Sequence, residues 1–177
     1  MWALVESGSV TQVIMRPKGL TIGDNQYPKN IFNLWSSSEL EAIGIYEVVL
    51  DNTNLKNDEY YDNTNQTFTF AEDTVTASYG TATAKDLDDL KTLHKEKINA
   101  HAGSLLAQYD WYTLRAADGG TAVPSNVATY RAAVRSKANE MCSTIDSAPS
   151  VDHLASLYVY SGDPAARPLG EWPTLGS

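Results

Sequence analysis

Two histidines are the residues whose type and spacing come nearest to a metal site. His94 and His101 lie seven residues apart, so in a helix they share one face at a separation of about 10 Å. Two imidazoles that far apart cannot bind one ion, although a metal on a symmetry axis could take one histidine from each of three helices. We interpret the pair as packing residues or polar seam residues of a helix, and we expect no metal and no other cofactor.

The lone cysteine and the paired carboxylates offer little for catalysis. Cys142 follows Met141 within a helical pattern, which is typical of a small core residue. The pair Asp88 and Asp89 suits the first turn of a helix, where negative charge complements the dipole. The sequence contains no phosphate-binding glycine loop and no G-x-S-x-G elbow. We therefore expect no catalytic residues and a protein that is not an enzyme.

The composition also restricts the partners of the chain. Its 177 residues contain 22 Asp and Glu against 13 Lys and Arg, a net charge of −9. Nucleic-acid binding requires a basic surface, so we expect no nucleic-acid partner. A single cysteine excludes an internal disulfide framework. We also expect no signal peptide and no membrane span, because no apolar run approaches roughly 20 residues.

Two β-hairpins are predicted in the first half of the chain. Apolar and β-branched residues fill positions 2–6 and 10–15, with a glycine-containing turn between them. Threonine alternates with phenylalanine over 67–71, which predicts a strand with one buried face and one wet face. The partner strand is predicted at 74–79, after a turn at Glu72-Asp73.

One short helix is predicted between these hairpins. Ser36 and Glu39 have the spacing of a capping box. The pair Ser38 and Glu41 has the same spacing, so both starts remain open. Gly44 suits the position that follows a helix end.

The remaining residues of this half are predicted as one strand and two loops. High β-propensity predicts the strand at 45–50. Turn-forming residues predict loops at 19–34 and 51–66. Together these elements make a small β-rich module with one short helix over residues 1–82.

Two apolar stripes at spacings of three and four residues predict two long helices. The first helix is predicted to start at Thr83 as its cap and to end near Tyr109, before a loop through 116–120. The second is predicted to start with Ser125 or Asn126 as its cap. The stripes are Leu87, Leu90, His94, Ile98, His101 and Leu105, and then Val127, Tyr130, Val134, Ala138, Met141 and Ile145.

The long helices should pack as an antiparallel hairpin, which with a short third helix at 151–158 forms a module over residues 83–160. The Pro- and Gly-containing tail, 161–177, is predicted to be extended and to dock through Trp172. The predicted fold class is therefore α+β: a β-hairpin-rich N-terminal module followed by a C-terminal antiparallel helical hairpin with a short third helix.

Aromatic residues are the main candidates for contact with other proteins. The chain has 10 Tyr and 4 Trp against 3 Phe, and Tyr and Trp combine apolar area with a polar group that suits wet interfaces. Several crowd the end of the first long helix, where they form either a hydrophobic plug or a partner-binding surface. The candidate partner-binding residues are Trp2, Trp35, Tyr109, Trp111, Tyr112, Tyr130, Arg131 and Trp172.

Two stretches of the sequence resemble small bacteriophage tail proteins. The first begins with W-A-L-V-E at 2–6 and continues to E-L-E-A-I-G-I-Y-E-V at 39–48. The second contains D-W at 110–111, Y-R-A-A-V-R at 130–135 and W-P at 172–173. It is similar to the D-W…Y-R-x-x-[LV]-R…W-P pattern near the C-terminus of tail-fibre proteins and tail-fibre assembly proteins.

This resemblance implies a non-enzymatic, tail-associated structural protein that joins or decorates tail-fibre or baseplate parts through protein–protein contacts. Its partners would be other phage tail proteins, and we expect a homo-oligomer. Its location would be the virion tail, after assembly in the host cytoplasm. The alternatives are a tail-fibre assembly chaperone and a receptor- or carbohydrate-binding module that uses Tyr60 and Tyr61. The Gly-rich insert at 119–120 departs from the assembly-protein pattern.

Overall fold

The computed structural model describes residues 1–176, and the chain divides into two compact units at residues 83 and 84. Strands dominate the first unit and helices the second. The predicted α+β class is therefore confirmed.

The first unit is built on a five-stranded sheet in the order β2-β1-β5-β8-β7. Neighbouring strands are antiparallel except for β5 and β8, which are parallel. A separate hairpin pairs β3 with β4. The elements are β1 (Trp2–Glu6), β2 (Ser9–Ile14), β3 (Leu20–Ile22), β4 (Asn25–Tyr27), α1 (Ile31–Leu34), α2 (Ser37–Glu41), β5 (Ile45–Asp51), β6 (Tyr61–Asp62), β7 (Thr67–Ala71), β8 (Thr74–Ser78) and, at the junction of the units, β9 (Thr83–Ala84).

Both predicted hairpins are present, and their turns have the backbone geometry that two-residue loops require. Glu72 and Asp73 have φ angles of 51° and 55°, and Ser7 and Gly8 have 51° and 76°. Two consecutive positive φ angles match the right-handed twist of the strands. Phe68 and Phe70 are half-buried while the threonines of β7 are exposed, as the alternation predicted.

A bulge in β2 shifts the alternation of its side chains between the two faces of the sheet. The register shifts between the pairs Leu4↔Gln12 and Val5↔Val10, which leaves Thr11 as an extra residue. The hydroxyl of Thr11 donates to the Glu6 carboxylate at 2.8 Å. Val10 and Ile14 consequently pack in different cores, although both occupy even positions.

The prediction of a loop over residues 19–34 is wrong, because apolar residues of this segment cover one face of the sheet. Leu20 of β3 and the α1 residues Ile31 and Phe32 are buried in a core that also contains Leu4 and Ile45. Gly23 has a φ of 58°, which suits the turn between β3 and β4. The glycine therefore joins two strands, whereas the prediction placed it in an irregular loop.

The capping box of α2 uses the first of the two predicted pairs. The Glu39 N–H donates to Ser36 Oγ at 3.4 Å, and the Ser36 N–H donates to Glu39 Oε2 at 2.8 Å. These bonds from Ser36 hold the pKa of the Glu39 carboxyl below its ordinary value. Gly44 follows the helix with a φ of 82°, and a Cβ at this position would lie 2.7 Å from the Val5 carbonyl oxygen.

The second unit contains α3 (Leu87–Ala107), α4 (Asp110–Ala117), α5 (Ser125–Asp146) and α6 (Val151–Ser156). Asp86 caps α3, since its Oδ1 accepts from the N–H groups of Asp88 and Asp89 at 2.9 Å. Thr83 is therefore not the cap, because Asp86 lies closer to the first helical turn. Pro124 occupies the N-cap of α5 in place of Ser125 or Asn126, and its fixed φ suits a helix start.

Contacts along α3 and α5 show that the two helices are antiparallel. Lys95 of α3 pairs with Asp146 of α5 at 2.7 Å, whereas the Leu106 carbonyl, near the other end of α3, accepts from Arg131. Residue numbers in α3 therefore increase in the direction in which residue numbers in α5 decrease. The α5 stripe is buried as predicted, but the α3 stripe continues from Ile98 to Ala102 and leaves His101 exposed.

The tail docks through Trp172, whose ring lies 5.1 Å from that of His101 between centroids. Leu169 is buried and donates its N–H to the Leu157 carbonyl. The segment before it is not extended, because Ser161 and Ala166 bond to each other and close a turn. Position 177 of the predicted tail lies outside the described residues. Over residues 1–176, no helix combines the length and apolar character that crossing a membrane needs.

Replacement of Val134 by Asp should collapse the helical unit. Val134 is fully buried, so the substitution places an unpaired charge in the core and should destabilise the fold by more than about 4 kcal/mol. Urea unfolding followed by circular dichroism measures this loss. The control Ser136→Asp lies two residues away on the exposed side and should change stability by less than about 0.5 kcal/mol. Equal midpoints for the two variants would contradict the assignment.

Candidate interaction surface

A buried arginine connects α3, α4 and α5. Arg131 of α5 is only 9% exposed. Its Nη1 donates to the carbonyl oxygen of Leu106 at 2.7 Å, and its Nη2 lies 2.8 Å from Oδ1 of Asp110. A buried guanidinium is tolerated only when its donors are satisfied. Arg131 therefore fixes the last turn of α3 and the first turn of α4 against α5.

Aromatic packing reinforces the same corner. Tyr130 is buried, and its ring meets that of Tyr109 edge to face at 5.4 Å between centroids. This geometry favours the positive edge of one ring over the negative face of the other. Of the three aromatic residues at the end of the first long helix, Tyr109, Trp111 and Tyr112, only Tyr109 packs in this way, against Tyr130.

Helix α4 is held at both ends although it has no buried residue among positions 110–117, all of which the structure describes. Its first residue, Asp110, is bound by Arg131. Its end is a Schellman motif, in which Gly119 donates to the Ala116 carbonyl and Gly120 to the Arg115 carbonyl. Gly119 has a φ of 80°, a conformation that favours glycine.

Three side chains of α4 form an aromatic and cationic cluster at the surface, in which Trp111 is exposed and Tyr112 and Arg115 are half-buried. The rings of Trp111 and Tyr112 lie 3.7 Å apart between centroids. The guanidinium carbon of Arg115 is 4.9 Å from the Trp111 ring and 5.3 Å from the Tyr112 ring, which favours cation–π attraction. Trp111 is still 50% exposed and Leu114 is 66% exposed. This face therefore presents large apolar groups to water.

A shallow groove with a second cation lies on the side of α4 that Thr113 occupies. The groove has a volume of about 240 Å³ and is lined by Thr113 of α4 and by Val123, Ala128, Arg131 and Arg135. Arg135 is exposed and makes no ion pair with any residue that the structure describes. We call the set Trp111, Leu114, Arg115 and Arg135 the α4 surface.

The eight candidate residues fall into three groups. Arg131 and Tyr130 are buried supports of α4, with half-buried Tyr109 beside them. Trp111 and Tyr112 belong to the surface cluster. The remaining three are half-buried packing residues: Trp2 contacts Phe32, Trp35 contacts Tyr27, and Trp172 contacts His101.

Sequence reasoning missed Leu114 and Arg115, because it placed residues 116–120 in a loop and recognised no helix over residues 110–117. Arg135 belongs to the quoted pattern at 130–135 but was not among the candidate contact residues. The spacing of Leu114 and Arg115, three and four positions after Trp111, is a usable signal for a shared helical face. Adjacent glycines at 119 and 120 are a signal for a helix end.

The histidines and the cysteine each contact different neighbours. His94 is buried, with its Nδ1 2.9 Å from the Tyr158 hydroxyl. His101 instead lies against Trp172. Burial raises the pKa of the Cys142 thiol, which disfavours the reactive thiolate. Within residues 1–176, no three His, Cys, Asp or Glu side chains are grouped as a metal site would require.

The loop at 51–66 differs from an open sugar-binding surface. Tyr60 is only 4% exposed, so its ring is not available as a stacking platform. Burial, with a smaller contribution from the neighbouring Glu59 charge, raises the pKa of Tyr60 to about 12.

The chain matches no protein-family model, no curated protein and no solved structure. The likeness to bacteriophage tail proteins therefore remains a resemblance in the two stretches quoted above.

Replacement of Arg131 by Met should destabilise the protein by about 1–3 kcal/mol, because the Leu106 carbonyl and Asp110 lose their shared donor. Chemical denaturation of the full chain measures the difference. Arg135→Met, one turn along α5, removes the same charge from an exposed position and should cost less than about 0.5 kcal/mol. Equal losses in the two variants would contradict a supporting role for Arg131.

Tyr60 should ionise only at strongly alkaline pH. Its pKa of about 12 in the folded state exceeds the ordinary value of 10.0, so the protonated phenol is favoured by folding. The stabilisation is complete below pH 10.0 and is lost as pH rises through about 12. Ultraviolet titration of the wild type and Tyr60→Phe measures this ionisation. If the late step persists in Tyr60→Phe, the assignment is wrong.

Proposed function

We propose that this chain is a non-enzymatic structural protein of a bacteriophage tail, which joins or decorates tail-fibre or baseplate parts through protein–protein contacts. The observation that carries the proposal is α4, an exposed helix that is anchored at both ends and presents Trp111 and Leu114 to solvent. Contiguous exposed apolar groups of this kind mark sites where another protein binds.

Four residues of the tail-protein pattern support this role because they meet at α4, whereas Trp172 packs against His101. Asp110 and Arg131 anchor the helix, Tyr130 packs beneath its start, and Trp111 is exposed. These four residues are thus explained by the support and the display of one contact surface. Catalysis would require converging polar groups with shifted pKa values in a cleft, and α4 offers a convex face instead.

The assembly-chaperone alternative makes the same contacts but leaves the particle afterwards. Mass spectrometry of purified virions distinguishes the two roles. A structural protein should be present at a fixed ratio to other tail proteins, whereas a chaperone should be found only in the infected-cell lysate. Absence from particles would overturn the structural proposal.

The pair of substitutions Trp111→Ala and Leu114→Ser should reduce incorporation into particles without unfolding the protein. Both side chains are largely exposed, so their loss affects a contact surface more than the core. Quantitative mass spectrometry of virions should show at least about a tenfold reduction relative to wild type, corresponding to about 1.4 kcal/mol of contact energy. Circular dichroism checks the fold.

The control for this experiment is Leu93→Ser, which removes an exposed leucine of α3. It should leave incorporation at the wild-type level. Equal incorporation of the Trp111→Ala, Leu114→Ser variant would contradict a contact role for α4.

A further inference from the structure

The first unit carries an exposed acidic face on its sheet. Along β5, Glu47, Val49 and Asp51 alternate on one side and are all exposed, with Val49 54% exposed. Asp51 Oδ1 accepts from the N–H and the hydroxyl of Thr53, at 3.0 and 2.6 Å. These bonds favour its charged form.

The neighbouring strands continue this face with small polar groups. The register pairs Val49 with Thr76 of β8, and Thr76 in turn with Thr69 of β7. Residues paired across strands lie on the same side of a sheet. The result is an exposed surface with one central valine between two carboxylates. We call the set Glu47, Val49, Asp51 and Thr69 the acidic sheet face.

The first unit is more acidic than the second, in which residues 84–177 contain eleven Asp and Glu against nine Lys and Arg, a net charge of −2. Residues 1–83 contain eleven Asp and Glu against four Lys and Arg, a net charge of −7. The α4 surface instead presents Arg115 and Arg135 beside Trp111 and Leu114. Around α4, Arg115, Arg131 and Arg135 outnumber Asp110 and Asp118, a net charge of +1 that is opposite in sign to the carboxylates of the acidic sheet face.

We propose that the α4 surface of one copy binds the acidic sheet face of a second copy. This inference rests on the contact role proposed above and names a second copy as the occupant. Opposite charges steer such a pair together, whereas two α4 surfaces or two sheet faces would place like charges in contact. Because the two surfaces differ, the contact is heterologous and repeats into a ring or a filament.

Sedimentation velocity of the full chain tests this association over a range of concentrations at ~50 mM and ~500 mM salt, where screening differs strongly. The wild type should form larger species as concentration rises, and high salt should weaken them. Arg135→Glu and Glu47→Lys should each weaken association at least about tenfold, because each brings like charges together. A protein that stays monomeric throughout would overturn the proposal.

Two combinations of these variants test the head-to-tail arrangement. The double variant Arg135→Glu, Glu47→Lys exchanges the charges and should recover association. A mixture of the two single variants should also recover association beyond dimers, because the two wild-type surfaces pair with each other and the two exchanged surfaces pair with each other. Failure of both combinations to associate would overturn the arrangement.

The matched controls Arg16→Glu and Glu41→Lys make the same charge changes at exposed positions outside both surfaces and should associate nearly as wild type. If they weaken association as much as the test variants, general charge is responsible and the assigned surfaces are wrong. Virion mass spectrometry tests the proposed tail function independently of self-association. A chain that is present in particles but monomeric in solution would contradict only the self-association proposal.

Discussion

The helical unit depends on satisfying one buried charge. Arg131 would be costly to bury alone, and its two partners lie at the end of α3 and the start of α4. That requirement fixes the direction in which the chain leaves α3. It also explains how α4 persists without a buried face, since Arg131 anchors its start and a glycine pair closes its end. The exposure of Trp111 and Leu114 then follows from the anchoring.

Much of the fold was predictable because local signals agreed with the tertiary structure. The hairpins, the capping box at Ser36 and the paired long helices follow from alternation, cap spacing and apolar stripes. The structure of segment 19–34 was not predictable, because turn residues there interrupt apolar residues that are buried only once the sheet has formed. The same holds for the bulge at Thr11, since an extra residue is defined by its partner strand.

The sequence predicted several residues of the α4 region but not which of them are exposed and which support the helix. The sequence identified Trp111, Tyr130 and Arg131 together, yet it could not separate an exposed tryptophan from the buried arginine that supports it. That distinction arises from a hydrogen bond across 25 residues, between Arg131 and Leu106. Long-range contacts of this kind leave no periodic signal in a single sequence. Tyr60 illustrates the reverse error, since a polar loop suggested exposure for a buried ring.

The central claim is that α4 is a protein contact surface, and site-specific photo-cross-linking tests it most directly. A benzophenone side chain would be placed at position 111 in one preparation and at position 93, the exposed α3 control, in another. In the proposed role, irradiation of assembled tails should join position 111 to a second copy of this chain or to another tail protein, and position 93 to neither. Cross-links from position 111 that are no more abundant than those from position 93 would contradict the claim.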